Sequence, residues 1–436
     1  MAKVPKRIAS VLMNSLKGGV VPRIGLEYVT VGRKAEINAL LDDVEMIAEG
    51  GASFRFIAGR YGSGKSFLLQ TIRNYAMERG FAVMDADLSP ERRLVGGKGQ
   101  GLATYRELMK NLSVRTKPDG GALPLILERW ITGIRSAVMS ENAIDAGAPE
   151  FEKLVEQRIY AVIGQMEELV HGFDFARVIT MYYQSVRDGD DALRSCTLKW
   201  MRGEYQTKTE AKNELGVNVI VNDDDWYDYV KLFSAFLHAA GYRGMLLMID
   251  ELVNIYRTTN PTTRQYNYEK MLTMYNDMMQ GRVSNLGIIM CGTVQCIEDT
   301  RRGVFSYEAL RSRLEKGRFA EEGTTNLLAP IIMLSPLTQE ELLILIERLD
   351  DIHAGMYGKE PSLTIEDDVK FLQVEFARVG AGINITPREI IRDYIELLDI
   401  VMQNPQFTAA QIIENRLPQH SSEEAEEESE FADFIF

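Results

Sequence analysis

The octapeptide at residues 59–66 reads GRYGSGKS and fits the pattern GxxxxGK[ST] at every fixed position. An apolar run of strand type that includes Phe54 and Phe56 precedes it, and apolar residues follow at helical spacing from Leu68 to Ala76. A strand, a glycine-rich turn and a helix in this order direct backbone N–H groups towards an anion at the positive end of the helix. The sequence therefore predicts a phosphate-binding loop, here called the glycine-rich loop, in an α/β fold whose parallel sheet is flanked by helices.

The residue types in this loop have distinct expected roles. Gly62 and Gly64 allow the backbone to approach phosphate oxygens without a Cβ atom in the way. Lys65 adds a positive charge at the β- and γ-phosphates of a nucleotide, and the Ser66 hydroxyl is a ligand for Mg²⁺. We expect nucleotide contacts from the consecutive residues Gly59, Arg60, Tyr61, Gly62, Ser63, Gly64, Lys65, Ser66 and Phe67.

Composition limits the class of protein. The chain has 436 residues, of which 45% are hydrophobic and 26% charged, as in soluble globular proteins of two or three domains. No apolar run approaches the roughly 20 residues of a membrane span, and the first residues lack the apolar part of a signal peptide, so we expect a cytoplasmic protein. The 3 cysteines and 4 histidines match no disulfide framework and no zinc spacing, which argues against a structural metal.

The net charge of −14 at first argues against a nucleic-acid partner. Seven of the acidic residues, however, lie within residues 419–436, and they account for half of this excess. The remainder of the chain is therefore compatible with a basic face that binds DNA. The acidic tail is expected to be disordered, and its aromatic end, from Phe431 to Phe436, is interpreted either as a docking peptide for a partner or as part of a solubility tail.

A second motif ends a buried strand. Residues 245–249 are all apolar, as in a central strand covered by helices on both faces, and Asp250 and Glu251 follow. Because ligands bind at the carboxyl ends of strands in such sheets, both carboxylates are candidates for the nucleotide site. We predict that Asp250 holds Mg²⁺ and that Glu251 orients and polarises the attacking water.

Between the second strand, near residues 80–88, and this acidic strand lies a long stretch with mostly helical periodicity. A further strand pattern covers residues 286–292, another covers residues 331–334, and the chain after them has helical patterns to about residue 417. The predicted organisation is an N-terminal helix and arm (1–30), an ATPase core (31–335) with a helical insertion (about 95–240), a helical lid (336–418) and an acidic tail (419–436). The first helix, near residues 4–17, is either a docking helix or a basic arm for nucleic acid.

The order of these elements resembles that of AAA+ ATPases. The resemblance implies that Gly32 and Arg33, in the motif VGRKAE at residues 31–36, lie alongside the adenine of the nucleotide. It implies too that the Thr293 side chain lies between the attacking water and the γ-phosphate. It also implies that an arginine of the basic segment after residue 300 reaches the nucleotide of a neighbouring subunit, with Arg313 as first choice and Arg311 as second, and that Arg388 is a lid sensor of the γ-phosphate. Alternatives remain for each: a turn residue at 293, a solvated or DNA-contacting basic helix that extends to Lys316 and Arg318, and a surface residue at 388.

The wider set of motifs, including VPRIG at residues 21–25 and YEALRSRL at residues 307–314, resembles the BREX ATP-binding family (BrxC/BrxD-like) of bacterial phage-defence islands over residues 20 to about 400. The length is similar to that of the shorter, BrxD-like members. The resemblance implies a defence ATPase that acts on or around DNA beside partners such as a helicase or a methyltransferase.

Three functions are compatible with these observations. One is an oligomeric, DNA-associated ATPase motor or loader that uses ATP and Mg²⁺. Another is a nucleotide-dependent switch or scaffold that binds protein partners and hydrolyses ATP slowly. The third, a kinase-like phosphotransferase, is disfavoured because no acceptor site is visible in the sequence.

Overall fold

The computed structural model describes residues 4–164, 166, 169–315, 326–379 and 386–414. The predictions for Lys316, Arg318 and the acidic tail lie outside the described residues. The chain divides into two compact units: one contains Lys34–Arg60 and Lys65–Leu334, and the other contains the described residues of Met1–Arg33, Tyr61–Gly64 and Ser335–Phe436. We call them the sheet unit and the helical unit.

A parallel sheet forms the centre of the sheet unit, as the sequence predicts. Within the described residues its order is β2-β3-β4-β1-β5, and every neighbouring pair is parallel. The strands are β1 (Ala52–Ala58), β2 (Ala82–Asp87), β3 (Met245–Asp250), β4 (Leu286–Gly292) and β5 (Ile331–Met333).

Helices cover both faces of this sheet. On one face, α3 and α4 pack over a core that contains Ile57, Val83 and Met248, and on the other face a second core contains Phe54 and Phe56. Burial on both faces explains why the strands are almost continuously apolar. The helices of this unit outside the insertion are α3 (Lys34–Ala48), α4 (Lys65–Glu78), α12 (Val253–Tyr256), α13 (Pro261–Met279), α14 (Val294–Glu298) and α15 (Glu308–Leu314), with a 3₁₀ turn at Val304–Ser306.

The stretch between β2 and β3 is helical and extends the second core. Trp130 packs edge-on against Phe236, and Trp200 packs edge-on against Tyr229, with ring centroids 5.1 and 5.6 Å apart. Trp226 is also buried, so all three tryptophans are core residues. The helices are α5 (Gln100–Lys110), α6 (Leu123–Asn142), α7 (Phe151–Gly164), α8 (Gly172–Asp188), α9 (Asp191–Met201), α10 (Lys208–Leu215) and α11 (Trp226–Ala239).

The helical unit combines the start of the chain with its C-terminal region. Its helices are α1 (Lys6–Lys17), α2 (Leu26–Val29), α16 (Gln339–Tyr357), α17 (Ile365–Val379), α18 (Pro387–Gln403) and α19 (Ala409–Glu414). α1 packs against α16 and α18 through its apolar side, which includes Leu12 and Leu16. The first helix thus contacts the helices that the sequence assigns to the lid. In the part of the chain that the structure describes, no helix combines the length and apolarity that a bilayer crossing requires.

Arg55 of β1 forms a largely buried ion pair with Asp43, whose loss we expect to be costly. Its guanidinium donates to both carboxylate oxygens of Asp43, at 2.6 and 2.7 Å, and to the carbonyl oxygen of Ala329 at 2.6 Å. Arg55→Leu leaves the Asp43 charge without its counter-ion, so we predict that the free energy of unfolding falls by about 3 kcal/mol, as measured by urea denaturation.

Arg243→Leu is the matched control for this prediction. Arg243 pairs with Glu45, but both side chains are about half exposed. We expect a loss of at most about 1 kcal/mol. Equal losses in the two variants would show that the Arg55 pair has no special weight.

Candidate functional site

The glycine-rich loop begins where β1 ends and finishes where α4 begins. The Gly59 N–H donates to the carbonyl oxygen of Gly292, which is the last residue of the neighbouring strand β4. The Lys65 ammonium group donates to the carbonyl oxygens of Gly59, at 3.0 Å, and Arg60, at 2.7 Å. Burial lowers the pKa of Lys65, and the nearby Asp250 charge opposes this effect. The lysine charge is therefore held over the start of the loop.

The two predicted magnesium ligands lie together, although 184 residues separate them in the chain. The Ser66 hydroxyl donates to Oδ2 of Asp250 at 2.6 Å, and Oδ1 of Asp250 accepts the Glu251 N–H at 2.7 Å. A hydroxyl and a carboxylate are hard oxygen ligands of the kind that Mg²⁺ prefers. Within the described ranges, no group of three or more His, Cys, Asp or Glu side chains could hold a metal ion. This does not conflict with Mg²⁺, which is usually bound by one or two protein groups together with substrate phosphates.

Glu251 has an unusual backbone conformation. Its φ angle is +62°, a region that residues other than glycine rarely adopt. Its carbonyl oxygen accepts the Asn254 N–H, and its N–H is bonded to Asp250, so both sides of the residue are fixed. Such strained residues cluster at functional sites, which agrees with the predicted role of the exposed Glu251 carboxylate.

Asp87 is a candidate that the sequence analysis did not single out. It ends β2 and is the register partner of Asp250 on β3. Although its side chain reaches solvent, partial burial raises the pKa of Asp87 to about 6, and the charges of Asp250, Asp85 and Glu251 add to this effect. The acidic residue at the end of β2 is visible in the sequence, but only the pairing of β2 with β3 places it beside Asp250.

Thr293 directly follows β4, which lies between β1 and β3 in the sheet. Its hydroxyl caps α14 by accepting the Cys296 N–H at 3.2 Å, and it also contacts the Cys296 sulfur at 2.9 Å. Thr293 is therefore at the carboxyl end of the sheet, as predicted, and its hydroxyl has a structural role there as a helix cap. Whether it also senses the γ-phosphate stays a prediction.

The two candidate arginines of the basic segment both lie on α15. Arg311 pairs with Glu315, and the exposed Arg313 side chain donates to the Ala309 carbonyl oxygen of its own helix at 2.6 Å. Both side chains thus bond within the segment, and Arg313 is accessible to another molecule. Its role at the nucleotide of a neighbouring subunit stays a prediction.

In the helical unit, Arg33 supports the glycine-rich loop. This residue is 7% exposed, and its guanidinium donates to the carbonyl oxygens of Ser63, at 3.2 Å, and Ser335, at 2.8 Å. Gly32 lies against the carboxyl group of Glu341. These contacts assign Arg33 a role in holding the loop backbone, and contact with adenine stays a prediction.

The middle of the loop fits a bound phosphate. A Cβ atom on Gly64 would have no neighbour within 4 Å outside its own chain neighbours, so there is open space beside this residue. Ser63 is 8% exposed, and its buried hydroxyl has no hydrogen-bond partner among the described residues. Open space beside Gly64 and an unsatisfied hydroxyl on Ser63 are features that a phosphate group would complete.

Arg388 lies in the first turn of α18, which begins with a reciprocal capping box between Thr386 and Glu389. Its guanidinium donates to the Tyr61 hydroxyl at 2.9 Å, and its central carbon lies 5.0 Å from the centre of the Tyr61 ring. The predicted lid arginine therefore contacts the glycine-rich loop directly. The sequence has no local signal that predicts the tyrosine as its partner, because 327 residues separate the two.

Comparison with protein-family models matches residues 4–416 to the family described as BREX system ATP-binding protein BrxC/D. The match spans almost the whole chain and does not separate the BrxC from the BrxD type. None of the curated proteins compared with the chain is similar enough to count as a match.

Gly62 and Gly64 allow a matched test of the loop geometry. Both have a positive φ, +77° and +94°, but only at Gly62 would a Cβ atom also lie 2.7 Å from the Thr386 hydroxyl. We predict that Gly64→Ala lowers the free energy of unfolding by about 1 kcal/mol through backbone strain, and that Gly62→Ala costs about 2 to 3 kcal/mol because a steric clash is added. Thermal and urea unfolding measure both effects, and equal losses would exclude the contact with Thr386.

Proposed function

This chain belongs to the family of BREX system ATP-binding proteins BrxC/D, and on that premise we propose that it is an AAA+ type ATPase that hydrolyses Mg-ATP in bacterial antiphage defence. The observation that carries the proposal is the hydrogen bond between Ser66 and Asp250. It joins the end of the glycine-rich loop to the acidic end of β3, which are the two parts that this chemistry requires at one place.

The roles of the chain's own residues follow from their positions. The backbone of the glycine-rich loop and Lys65 bind the phosphates, and Lys65 exchanges its bonds with two carbonyl oxygens for stronger bonds with phosphate oxygens. Ser66 and Asp250 would hold Mg²⁺, which supplies neutralisation of charge on the β- and γ-phosphates when it is bound. Glu251 accepts a hydrogen bond from the attacking water and polarises it. Thr293, at the end of β4, orients this water against the γ-phosphate.

The proposed function also includes an assembly of subunits and partner molecules. An exposed Arg313 on α15 suits a finger that completes the site of a neighbouring subunit. We therefore propose an oligomeric motor or loader that acts on DNA together with other defence proteins. The second candidate is a switch or scaffold that hydrolyses ATP slowly, and it is favoured if Arg313 has no effect in trans.

The Glu251→Gln variant tests the proposal as a whole. Removal of the carboxylate that polarises water is expected to lower turnover at least about 100-fold while ATP binding is kept. We predict that sedimentation velocity with ATP, Mg²⁺ and a short DNA duplex shows a closed oligomer that co-sediments with the duplex. Lys65→Ala, which loses phosphate binding, is the control and should remain unassembled. A Glu251→Gln protein that binds ATP but stays monomeric and free of DNA would favour the switch.

Arg313→Ala separates the motor from the switch. In a motor it should keep ATP binding but lower turnover at least about 100-fold, because charge in the transition state is no longer neutralised from the neighbouring subunit. Arg311→Ala is the matched control on the same helix, since Arg311 already pairs with Glu315. We expect it to retain turnover within a few-fold, as measured by phosphate release with and without DNA. Unchanged turnover in Arg313→Ala contradicts the motor, and a selective loss in Arg311→Ala would move the finger to that residue.

A further inference from the structure

The glycine-rich loop carries a large aromatic residue at a position where its sequence pattern permits any residue. The Tyr61 side chain is 71% exposed, so its ring is not part of the core. The same side chain is nevertheless engaged twice by Arg388, through a hydrogen bond at 2.9 Å to its hydroxyl and through the guanidinium over its ring at 5.0 Å. A structural role in the core does not explain this residue, but a role towards Arg388 does.

A second contact fixes the same two segments one residue further along. Gly62 lies so close to Thr386 that a Cβ atom on the glycine would clash with the threonine hydroxyl. Thr386 is the N-cap of α18, and Arg388 is in the first turn of that helix. The start of α18 thus lies directly against the loop. The Tyr61 ring then determines the direction of the Arg388 side chain.

We propose that Tyr61 is the positioning residue that holds Arg388 for the terminal phosphate of ATP. This inference rests on the proposed function, because it requires that the loop binds ATP. A guanidinium has five N–H donors, and the hydrogen bond to Tyr61 uses one of them, so bonds with phosphate oxygens are compatible with it. A cation over an aromatic face is held without a competing negative charge, and its exchange towards a phosphate therefore requires no ion pair to be broken.

The proposal assigns Arg388 and Tyr61 to one function, which is discrimination between ATP and ADP. An arginine that bonds the γ-phosphate strengthens binding of ATP but not of ADP. If Tyr61 acts through Arg388, the loss of either side chain removes the same preference. The aromatic face, rather than the hydroxyl, is the part that orients the planar guanidinium, so phenylalanine should replace tyrosine.

The test measures the dissociation constants of fluorescent ATP and ADP analogues, together with kcat and KM, for the full chain and the variants Tyr61→Leu, Tyr61→Phe, Arg388→Ala and Tyr61→Leu/Arg388→Ala. Tyr61→Leu and Arg388→Ala are each expected to lower the preference for ATP about tenfold and to lower kcat by a similar factor. The double variant should be no worse than either single variant, because both remove the same interaction. Tyr61→Phe should stay within about threefold of the unchanged protein.

Two results would overturn the inference: losses that multiply in the double variant, or a Tyr61→Phe variant as impaired as Tyr61→Leu. Thermal unfolding checks each variant, and the exposed position of Tyr61 makes large changes in stability unexpected. Failure of the proposed function gives a different result, since ATP would then bind equally to the unchanged protein and to Lys65→Ala. That outcome also overturns the role of Tyr61, whereas failure of the inference alone leaves ATP binding dependent on Lys65.

Discussion

The parallel pairing of β4 with β1 on one side and β3 on the other is the constraint on which the candidate site depends. Ala58 is the register partner of Gly292, and Ile249 is the partner of Met290, so the three strands end nearly level. Gly59, Thr293 and Asp250 must then lie along one edge of the sheet. The hydrogen bond from Ser66 to Asp250 is a consequence of this alignment, and a shift of register by one residue would separate the two groups.

The helical stretch between β2 and β3 is compatible with this alignment because of the two strands that it connects. It connects β2 to β3, and these strands are direct neighbours at one edge. α5 packs against β2 and α11 packs against β3, so the first and last helices of the insertion cover one face of the sheet. The helices between them extend the same core outwards. The long insertion therefore supplies the cover that a parallel sheet requires and leaves the order of the strands intact.

Local patterns made the strands, the glycine-rich loop and Asp250 predictable, since each is encoded by a short stretch of sequence. Features that depend on distant residues were not predicted. The start of α5 is one example, because Asp223 accepts the N–H groups of Gly99 and Leu102 and so caps a helix more than 100 residues earlier in the chain. The contact between Tyr61 and Arg388 spans 327 residues. Such pairings follow from packing, and a single sequence contains no local signal for them.

The charges at the strand ends determine what kind of ligand the sheet edge accepts. Asp87, Asp250 and Glu251 place three carboxyl groups on adjacent strand ends, and Lys65 is partly buried beside them. A bare polyphosphate would meet repulsion from these groups at short distance, where it is screened least. A divalent cation held by Asp250 would reverse the sign of this interaction. On the proposed function, we therefore expect the nucleotide and Mg²⁺ to bind together, with Lys65 and the loop N–H groups acting on the phosphates and with Ser66 and Asp250 holding the cation.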